Sequence, residues 1–554
     1  MEQTKRTGYP SIDKPWLKYY SEEAINAPLP ECTIYEYLYQ NNRDYLQDTA
    51  LIYFNRKINY GKLFENINRV ESALRAVGVA KGQIVTVNLP SIPETVYLLY
   101  ALSKIGAIAN MIDPRSDTEM LQHYLSEAGS KVFICLDKCL PVFNAMVDKA
   151  FVETVVCISA VESLPFASLI GRKLRNLGTA VTWKNFLSSV PVRCGMSSVA
   201  AADGNAPVLM THTSGTTGLP KGVVLSNKNI NAVIHQYSMG MEHHRRQKYL
   251  CVIPPFIAFG ICVAVHLPLG LGMADILVPQ FDPQNFYKYL KKYTPEHFTC
   301  APMSMEPLIT KQNTTCLSFL CTPAVGGDYI NDGFENRINE CLSAHGCKHQ
   351  LVKGYGMTEV SSSACTTSAH CNALGSVGVP LVNMTISVFA IGTPTELTYG
   401  QEGELCFTGP NVMQGYYKNS EATAAALKLH ADGQIWMHSG DIGYMSEDGH
   451  VYVVDRLKRA ITVDGQIILP AKTERVLLAH PYVEKCAVVG NERSQFVAHV
   501  VLSASAVATE VREQLAQACD ETLSENARPV KYIFCNALPL TPVGKVDYRA
   551  LERR

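Results

Sequence analysis

The segment Met210-Thr-His-Thr-Ser-Gly-Thr-Thr-Gly-Leu-Pro-Lys-Gly222 follows the apolar run Pro207-Val-Leu-Met210 and carries five hydroxyls, three glycines and one lysine in thirteen residues. Glycines let a backbone approach an anion closely and turn its N–H groups inward. Hydroxyls add neutral donors, and Lys221 adds a point charge. The pattern is a short strand running into a phosphate cradle. It is not a Walker loop, which needs Gly-Lys-Ser/Thr at its end, because Pro220 precedes Lys221 and Gly222 follows it. A Ser/Thr/Gly run also reads as a solvated loop, so the segments around it decide.

Upstream, Ala50-Leu-Ile-Tyr-Phe54 and Arg56-Lys-Ile-Asn-Tyr60 read as two strands joined by a tight turn. Leu63, Ile67, Val70, Leu74 and Val77 recur at helical spacing and Gly78 ends that helix. A strand at Ile84–Leu89, a helix from Glu94 to Gly106 and a strand at Ala107–Ile112 complete a strand–helix–strand rhythm. Such a rhythm implies a parallel α/β sheet. It repeats at Val132–Cys135, Thr154–Cys157 and Leu250–Ile253. Beyond Asp455 the pattern changes. A turn at Asp464-Gly465, helices from Ala471 to His480 and Thr509 to Asn526, and strands near 486–490, 496–502 and 530–534 make a separate α+β module. The expected fold is therefore α/β: a large N-terminal lobe of parallel α/β subdomains plus a β region, then a small α+β C-terminal domain.

Composition sets bounds. At 554 residues the chain exceeds one compact core. A net charge of −1 argues against a nucleic-acid binder. The eighteen cysteines contain no C-x-x-C pair, and the polar N-terminus lacks the apolar core of a signal peptide. Free thiols and a cytoplasmic location are the expectation. The apolar stretch from Val252 to Val278 is interrupted by prolines, glycines, His266 and Asp275, so it reads as a buried helix flanked by loops rather than a membrane span. Peripheral contact with lipid stays open. Glu242-His-His-Arg-Arg246 reads as a solvated connection, with no third metal ligand nearby in sequence.

Further motifs follow in order: Gly354-Tyr-Gly-Met-Thr-Glu359, Gly403-Glu-Leu405 with Gly415-Tyr-Tyr417, Ser439-Gly-Asp441, Asp455-Arg456 and Pro542-Val-Gly-Lys545. Together with Thr213–Gly222, the series resembles the adenylate-forming superfamily of acyl-CoA synthetases, coumarate-CoA-type ligases, peptide-synthetase adenylation domains and beetle luciferases. The resemblance runs from about Ala50 to Leu551. It implies an ATP-dependent carboxylic acid–CoA ligase that forms an acyl-adenylate with release of pyrophosphate, then AMP, using ATP, Mg²⁺ and CoA. Two alternatives stay open: a ligase loading a separate carrier protein, and a non-catalytic nucleotide-binding homologue. Luciferase-type oxygenation is a minor option.

Residue by residue, the resemblance assigns phosphate contacts to Thr213, Ser214, Gly215, Thr216, Thr217, Gly218 and Lys221. Gly326, Gly327 and Asp328 match the loop over one face of adenine, and Tyr355, with Gly356 and Met357, the other face. Thr358 is a phosphate donor, Glu359 the magnesium ligand, Asp441 the acceptor of both ribose hydroxyls, and Arg456 the arginine that closes the nucleotide site. Lys545 corresponds to the catalytic lysine bridging the carboxylate and the α-phosphate. It rides on a mobile C-terminal domain at 460–554, joined through a hinge at 455–459 to an N-terminal domain at 1–454; Lys458 stands at the expected swivel. Gly403-Glu404 and Gly415-Tyr416 read as architectural turns in a β region.

Three positions depart from the pattern. Lys353 replaces a Gln or Asn and is expected to add a charge near the nucleotide or acyl group; Lys472 stands at a usually acidic site, although Glu474 matches; Ile257 replaces a histidine linked to thioester formation. No acid follows Phe256, so an amino-acid ammonium would be buried unpaired, which is costly. Phe256, Ile257, Ala258, Phe259, Cys262, Val325 and Met357 are expected to line an apolar pocket for a fatty or aromatic acid, some of them being ordinary core.

Overall fold

Short apolar runs alternate with amphipathic helices over most of the chain, and each becomes the element its periodicity implies. The helix Tyr60–Ala76 buries Leu63, Phe64, Ile67, Val70 and Leu74, and Asn59 caps it by accepting the Lys62 N–H. Every residue of Pro93–Ile105 is buried. That helix starts on proline and stops at Gly106, whose φ of 80° suits a left-handed cap. Each Leu or Val sealed in this way contributes about 1.5–3 kcal/mol relative to exposure. The structure is a computed structural model that describes residues 6–159, 161–164, 178–188, 203–213, 219–310, 315–463, 466–503, 506–539 and 546–553. Ser214, Gly215, Thr216, Thr217, Gly218 and Lys545 lie outside the described residues.

The chain forms two units. The larger, Lys14–Thr385 with Phe407–Met437, holds two mostly parallel sheets. In the eight-stranded sheet Gly415–Tyr416 leads through Gly222–Ser226, Pro207–His212, Ile108–Met111, Ile84–Asn88, Val132–Leu136 and Thr154–Ile158 to Val181–Thr182. The nine-stranded sheet runs from Val379–Pro380 through Cys365–Thr366, Val352–Tyr355, Thr322–Gly326, His297–Cys300, Lys248–Cys251, Ala274–Leu277 and Thr49–Tyr53 to Arg56–Asn59. Its core gathers Leu250, Ile276, Phe286, Phe298 and Leu317. Within Val252–Val278 the chain forms a π-helix at Gly260–His266, a short helix at Leu267–Gly270 and the strand Ala274–Leu277. No described helix is long and apolar enough to cross a membrane. Every described cysteine is unbridged.

The smaller unit comprises Met1–Asp13, Ile386–Cys406 and His438–Arg554, so the division falls inside the strands Gly403–Thr408 and Ile435–Met445. Val451–Arg456 pairs antiparallel with Ile435–Met445, Asp441 facing Arg456. Farther on, Val483–Gly490, Phe496–Leu502 and Lys531–Phe534 form a three-stranded sheet, the first pair antiparallel and the second parallel. Leu477, Val488, Phe496, Val500, Val511 and Leu515 join that sheet to the helices Pro470–Leu478 and Ala508–Thr522. This is the α+β module expected from the sequence.

Candidate nucleotide and acyl site

The phosphate cradle is the loop of a β-hairpin. Pro207–His212 pairs antiparallel with Gly222–Ser226, and the hairpin closes at Thr213 and Lys221. There the Thr213 N–H donates to the Lys221 carbonyl at 3.1 Å. In return the Lys221 N–H donates to Thr213 Oγ1 at 3.3 Å. Outside the loop, His123 Nε2 donates to the Pro220 carbonyl at 3.3 Å. His212 Nε2 donates to Asn110 Oδ1 at 2.8 Å, and burial lowers that imidazole to about 3, so it is neutral.

Beside this hairpin the structure adds a residue that the motif reading had set aside as architecture. Gly415–Tyr416 is not a turn but a strand paired to Gly222–Ser226, Tyr416 opposite Val223. Its ring lies under the Lys221 ammonium, 4.0 Å from Nζ to centroid. Its hydroxyl donates to Glu359 Oε1 at 2.8 Å. Burial, then the Glu359 charge, pushes the Tyr416 phenol far above its ordinary value, so it remains a donor. A cation, an aromatic face, a hydroxyl and a carboxylate thus stand in series. The Glu359 main chain is fixed too, its carbonyl accepting the Met413 N–H at 2.8 Å.

Two neighbouring parallel strands deliver the remaining expected residues of the larger unit at their carboxyl ends, where open α/β sheets place their ligands. Thr322–Gly326 ends in Gly327, with φ of 85°, and Asp328. Val352–Tyr355 continues into Gly356, Met357 and a single 3₁₀ turn at Thr358–Val360. The chain then doubles back through Ser361 and Ser362, both left-handed. A Cβ at Gly356 would fall 2.0 Å from the Ser362 carbonyl oxygen, so only glycine fits. The Tyr355 ring packs against Phe407 with 5.9 Å between centroids.

Around the expected acyl pocket, a Cβ on Gly326 would meet Phe259 Cζ at 3.2 Å, so the Phe259 ring lies against the Gly326 backbone. Phe256 is buried, and the Arg115 guanidinium sits 5.6 Å from its ring centroid. Arg115 is held by Asp113, Nε to Oδ1 at 2.9 Å and Nη2 to Oδ2 at 2.7 Å. Nothing in the sequence around Asp113-Pro-Arg115 marked it for this place. Ile257 and Met357 are half-buried. Val325 is buried within the core cluster of the nine-stranded sheet.

The charge that Lys353 is expected to bring beside the motif is paired inside the fold. Its ammonium is buried against Glu335 Oε1 at 2.7 Å and the Ala373 carbonyl at 2.9 Å, on the helix Asp332–Ala344 and a following loop. Desolvation pulls its pKa below the ordinary lysine value, with Glu335 opposing.

The smaller unit brings Asp441 and Arg456 together. The buried Asp441 carboxylate lies 3.0 Å from Arg456 Nε, an ion pair without hydrogen-bond alignment. At 455–459, Asp455 accepts the Ala471 N–H at 2.8 Å and Arg459 Nη1 at 3.0 Å, while Arg459 also reaches Glu474 and stacks 4.1 Å from the Tyr548 ring centroid. Lys472 pairs with Glu402 at 2.8 Å. Glu404 is no turn residue either: it lies in a strand, with its carboxylate on His438 and the Gly440 N–H.

Residues 38–417 match the family model described as AMP-binding enzyme, and residues 472–545 match its C-terminal domain. The chain belongs to the AMP-binding enzyme family. A family member from Bacillus subtilis (strain 168), "Long-chain-fatty-acid--CoA ligase", is 28% identical over 97% of both chains. "Probable 4-coumarate--CoA ligase 3" of Dictyostelium discoideum is 28% identical over 77% of each. The crystal structure of an anthranilate CoA ligase in complex with anthranoyl-AMP superposes with a TM-score of 0.81 at 20% identity, over 95% of this chain and 98% of that one. This AMP-binding enzyme therefore has the mixed α/β architecture of an adenylate-forming enzyme, and its relatives are acid–thiol ligases.

Proposed function

We propose that the protein is an ATP-dependent carboxylic acid–CoA ligase acting on a fatty or other apolar acid. The substrate carboxylate attacks the α-phosphorus of ATP and pyrophosphate leaves. The CoA thiol then attacks the acyl carbon of the adenylate and AMP leaves. A carboxylate needs this activation because its own leaving group would be oxide. The protein's task is positioning and charge stabilisation, with no protein nucleophile required.

The observation that carries the reading is the series Lys221–Tyr416–Glu359 beside the hairpin closed by Thr213 and Lys221. It sets a positive group and a carboxylate along one wall, as a nucleotide polyphosphate and its cation require. Glu359 is half-buried and its Oε1 takes a single neutral donor, which suits a Mg²⁺ held by one carboxylate plus substrate phosphates. When bound, Mg²⁺ neutralises charge on the phosphates. In this reading Thr213 to Gly218 and Lys221 cradle the phosphates, Thr358 adds a donor, and Gly326, Gly327, Asp328, Tyr355, Gly356 and Met357 enclose adenine. Asp441 accepts the ribose hydroxyls and Arg456 covers them. Lys545 stabilises the developing pentavalent phosphorus. The 455–459 segment is the hinge that moves the 460–554 domain between the two half-reactions. An apolar acid is favoured by Phe256, Phe259 and Ile257, by the pairing of Arg115 with Asp113, and by the Bacillus subtilis relative's named activity.

The test is pyrophosphate and AMP release from ATP over short, medium, long and aromatic acids, each with and without CoA. Acid-dependent AMP release that requires CoA supports the ligase. Pyrophosphate release without CoA turnover would shift the acceptor to a carrier protein, and nucleotide binding without exchange for any acid would remove the enzyme assignment.

A further inference from the structure

The smaller unit holds a buried cluster that no step of the ligase reading uses. Glu404 on the strand Gly403–Thr408 and His438 on the neighbouring strand Ile435–Met445 meet with Oε2 to Nδ1 at 2.8 Å, their side chains 9% and 7% exposed. Cys406 lies with them, all three ligand-type atoms falling within 4.8 Å of one another. Three such donors suggest a metal centre, but their hydrogen bonding points elsewhere. One Glu404 oxygen takes the His438 Nδ1–H, and the other accepts the Gly440 N–H at 2.9 Å. Cys406 Sγ turns to the Glu404 carbonyl at 3.8 Å. A cation would have to break contacts already satisfied at the carboxylate.

These contacts converge on one backbone feature. Gly440 lies inside the strand Ile435–Met445 with φ of 68°, two residues before a register shift between Ile442 and Gly443. Register shifts of this kind re-aim the side chains beside them. Here Glu404 takes the Gly440 N–H. On the far side the Asp441 N–H donates to Ser439 Oγ at 2.9 Å, and that hydroxyl donates to the Leu405 carbonyl at 2.6 Å. The N–H groups of Gly440 and Asp441 are thus both held from the 403–408 strand, one by a carboxylate and one through a serine. A Cβ at Gly440 would meet nothing within 4 Å, so the glycine serves conformation rather than space.

We propose that Glu404, with His438 fixing its rotamer, is a positioning residue that aims the Asp441 carboxylate and so sets discrimination for the ribose of ATP. The inference rests on the reading that Asp441 accepts the ribose hydroxyls. Charge-assisted hydrogen bonds such as Glu404 to the Gly440 N–H are the stronger class, and losing one lets the turn relax.

The experiment compares kcat/KM for ATP with kcat/KM for 2′-deoxy-ATP in acid-dependent pyrophosphate exchange. The proteins are wild type, Glu404→Ala, Glu404→Gln and Asp441→Asn, each checked for folding by its Tm. Asp441→Asn should lower the ATP to 2′-deoxy-ATP ratio. Glu404→Ala should lower the same ratio by about tenfold, losing far more with ATP than with the deoxy analogue. Glu404→Gln, whose amide oxygen still accepts the Gly440 N–H, should restore most of it. A ratio that stays at the wild-type value in Glu404→Ala while Asp441→Asn lowers it overturns the proposal. Equal losses for both nucleotides overturn it as well, since they report a merely structural Glu404. An unchanged ratio in Asp441→Asn itself overturns the ribose assignment and the inference with it.

Discussion

Replacing Tyr416 by phenylalanine isolates one hydroxyl in the Lys221–Tyr416–Glu359 series. The ring is kept, so the ammonium 4.0 Å from its centroid keeps its cation–π partner, a contribution of about 0.5–1 kcal/mol. The neighbouring packing survives because Tyr416 is 9% exposed and phenylalanine fills nearly the same volume. What goes is the 2.8 Å hydrogen bond to Glu359. A hydrogen bond to a charged acceptor contributes about 1.5–3 kcal/mol. If it orients Glu359 toward the nucleotide and its cation, kcat/KM for pyrophosphate exchange should fall by about 10- to 150-fold. Half-buried Glu359 can turn to water, so Tm should change little. A Mg²⁺ titration of the exchange rate separates the causes: Tyr416→Phe should need more Mg²⁺ for half-maximal rate, and Tyr416→Leu, which also loses the Lys221 contact, should be slower still. Wild-type exchange and an unchanged Mg²⁺ midpoint in Tyr416→Phe would refute a positioning role for this hydroxyl.

Other expectations concern stability and backbone fit. Burial holds His212, His266 and His297 at about 3 and His243 at about 4. Their stabilisation is complete above an unfolded value near 6.5 and is lost as pH falls toward 4, at about 1.2 kcal/mol each between pH 6 and 5. Glu94, raised to about 7 by burial, and Asp275, raised by burial, act with the opposite sign and gain stability over the same interval. The four histidines outnumber the two opposing carboxyls, so chemical-denaturation stability should fall from pH 6 to pH 5, and a rise would contradict the neutral-histidine assignment. Lys353→Met leaves Glu335 buried without its ion-pair partner and should cost about 3–5 kcal/mol. The double variant Lys353→Met/Glu335→Leu should recover most of that in thermal melts; additive losses would mean the pair is not the cause. Gly356→Ala forces a Cβ onto the Ser362 carbonyl and should lower Tm while abolishing exchange, whereas wild-type behaviour would refute the requirement for glycine at this position.

Most of the architecture was legible because local pattern and tertiary environment agree. Leu63, Ile67, Val70 and Leu74 are buried as their spacing requires, and Gly78 and Gly106, with φ of 86° and 80°, end their helices as glycine allows. The stretch from Val252 to Val278 was harder, because apolarity on every side leaves no period to read. It resolves into a π-helix, a short helix and a buried strand, broken where Pro268 and the glycines demand. The site was legible only where a residue type announces its chemistry within one motif. Lys221, Glu359 and Asp441 sit in such motifs.

The motifs holding Tyr416 and Glu404 announce no chemistry, and the reason is physical. Each meets a partner far away in the chain: Tyr416 reaches Glu359 across 57 positions and Glu404 reaches Gly440 across 36. Read as architectural turns, neither residue shows what its side chain meets until the strand register is known, because a shift of one residue turns the side chain to the opposite face. Lys353 shows the converse. Read along the chain it stands one residue before Gly354–Glu359, where its charge faces the nucleotide motif, yet in the fold it is 3% exposed. Its ammonium meets Glu335 instead, so the charge the sequence offers to the nucleotide is neutralised inside the fold.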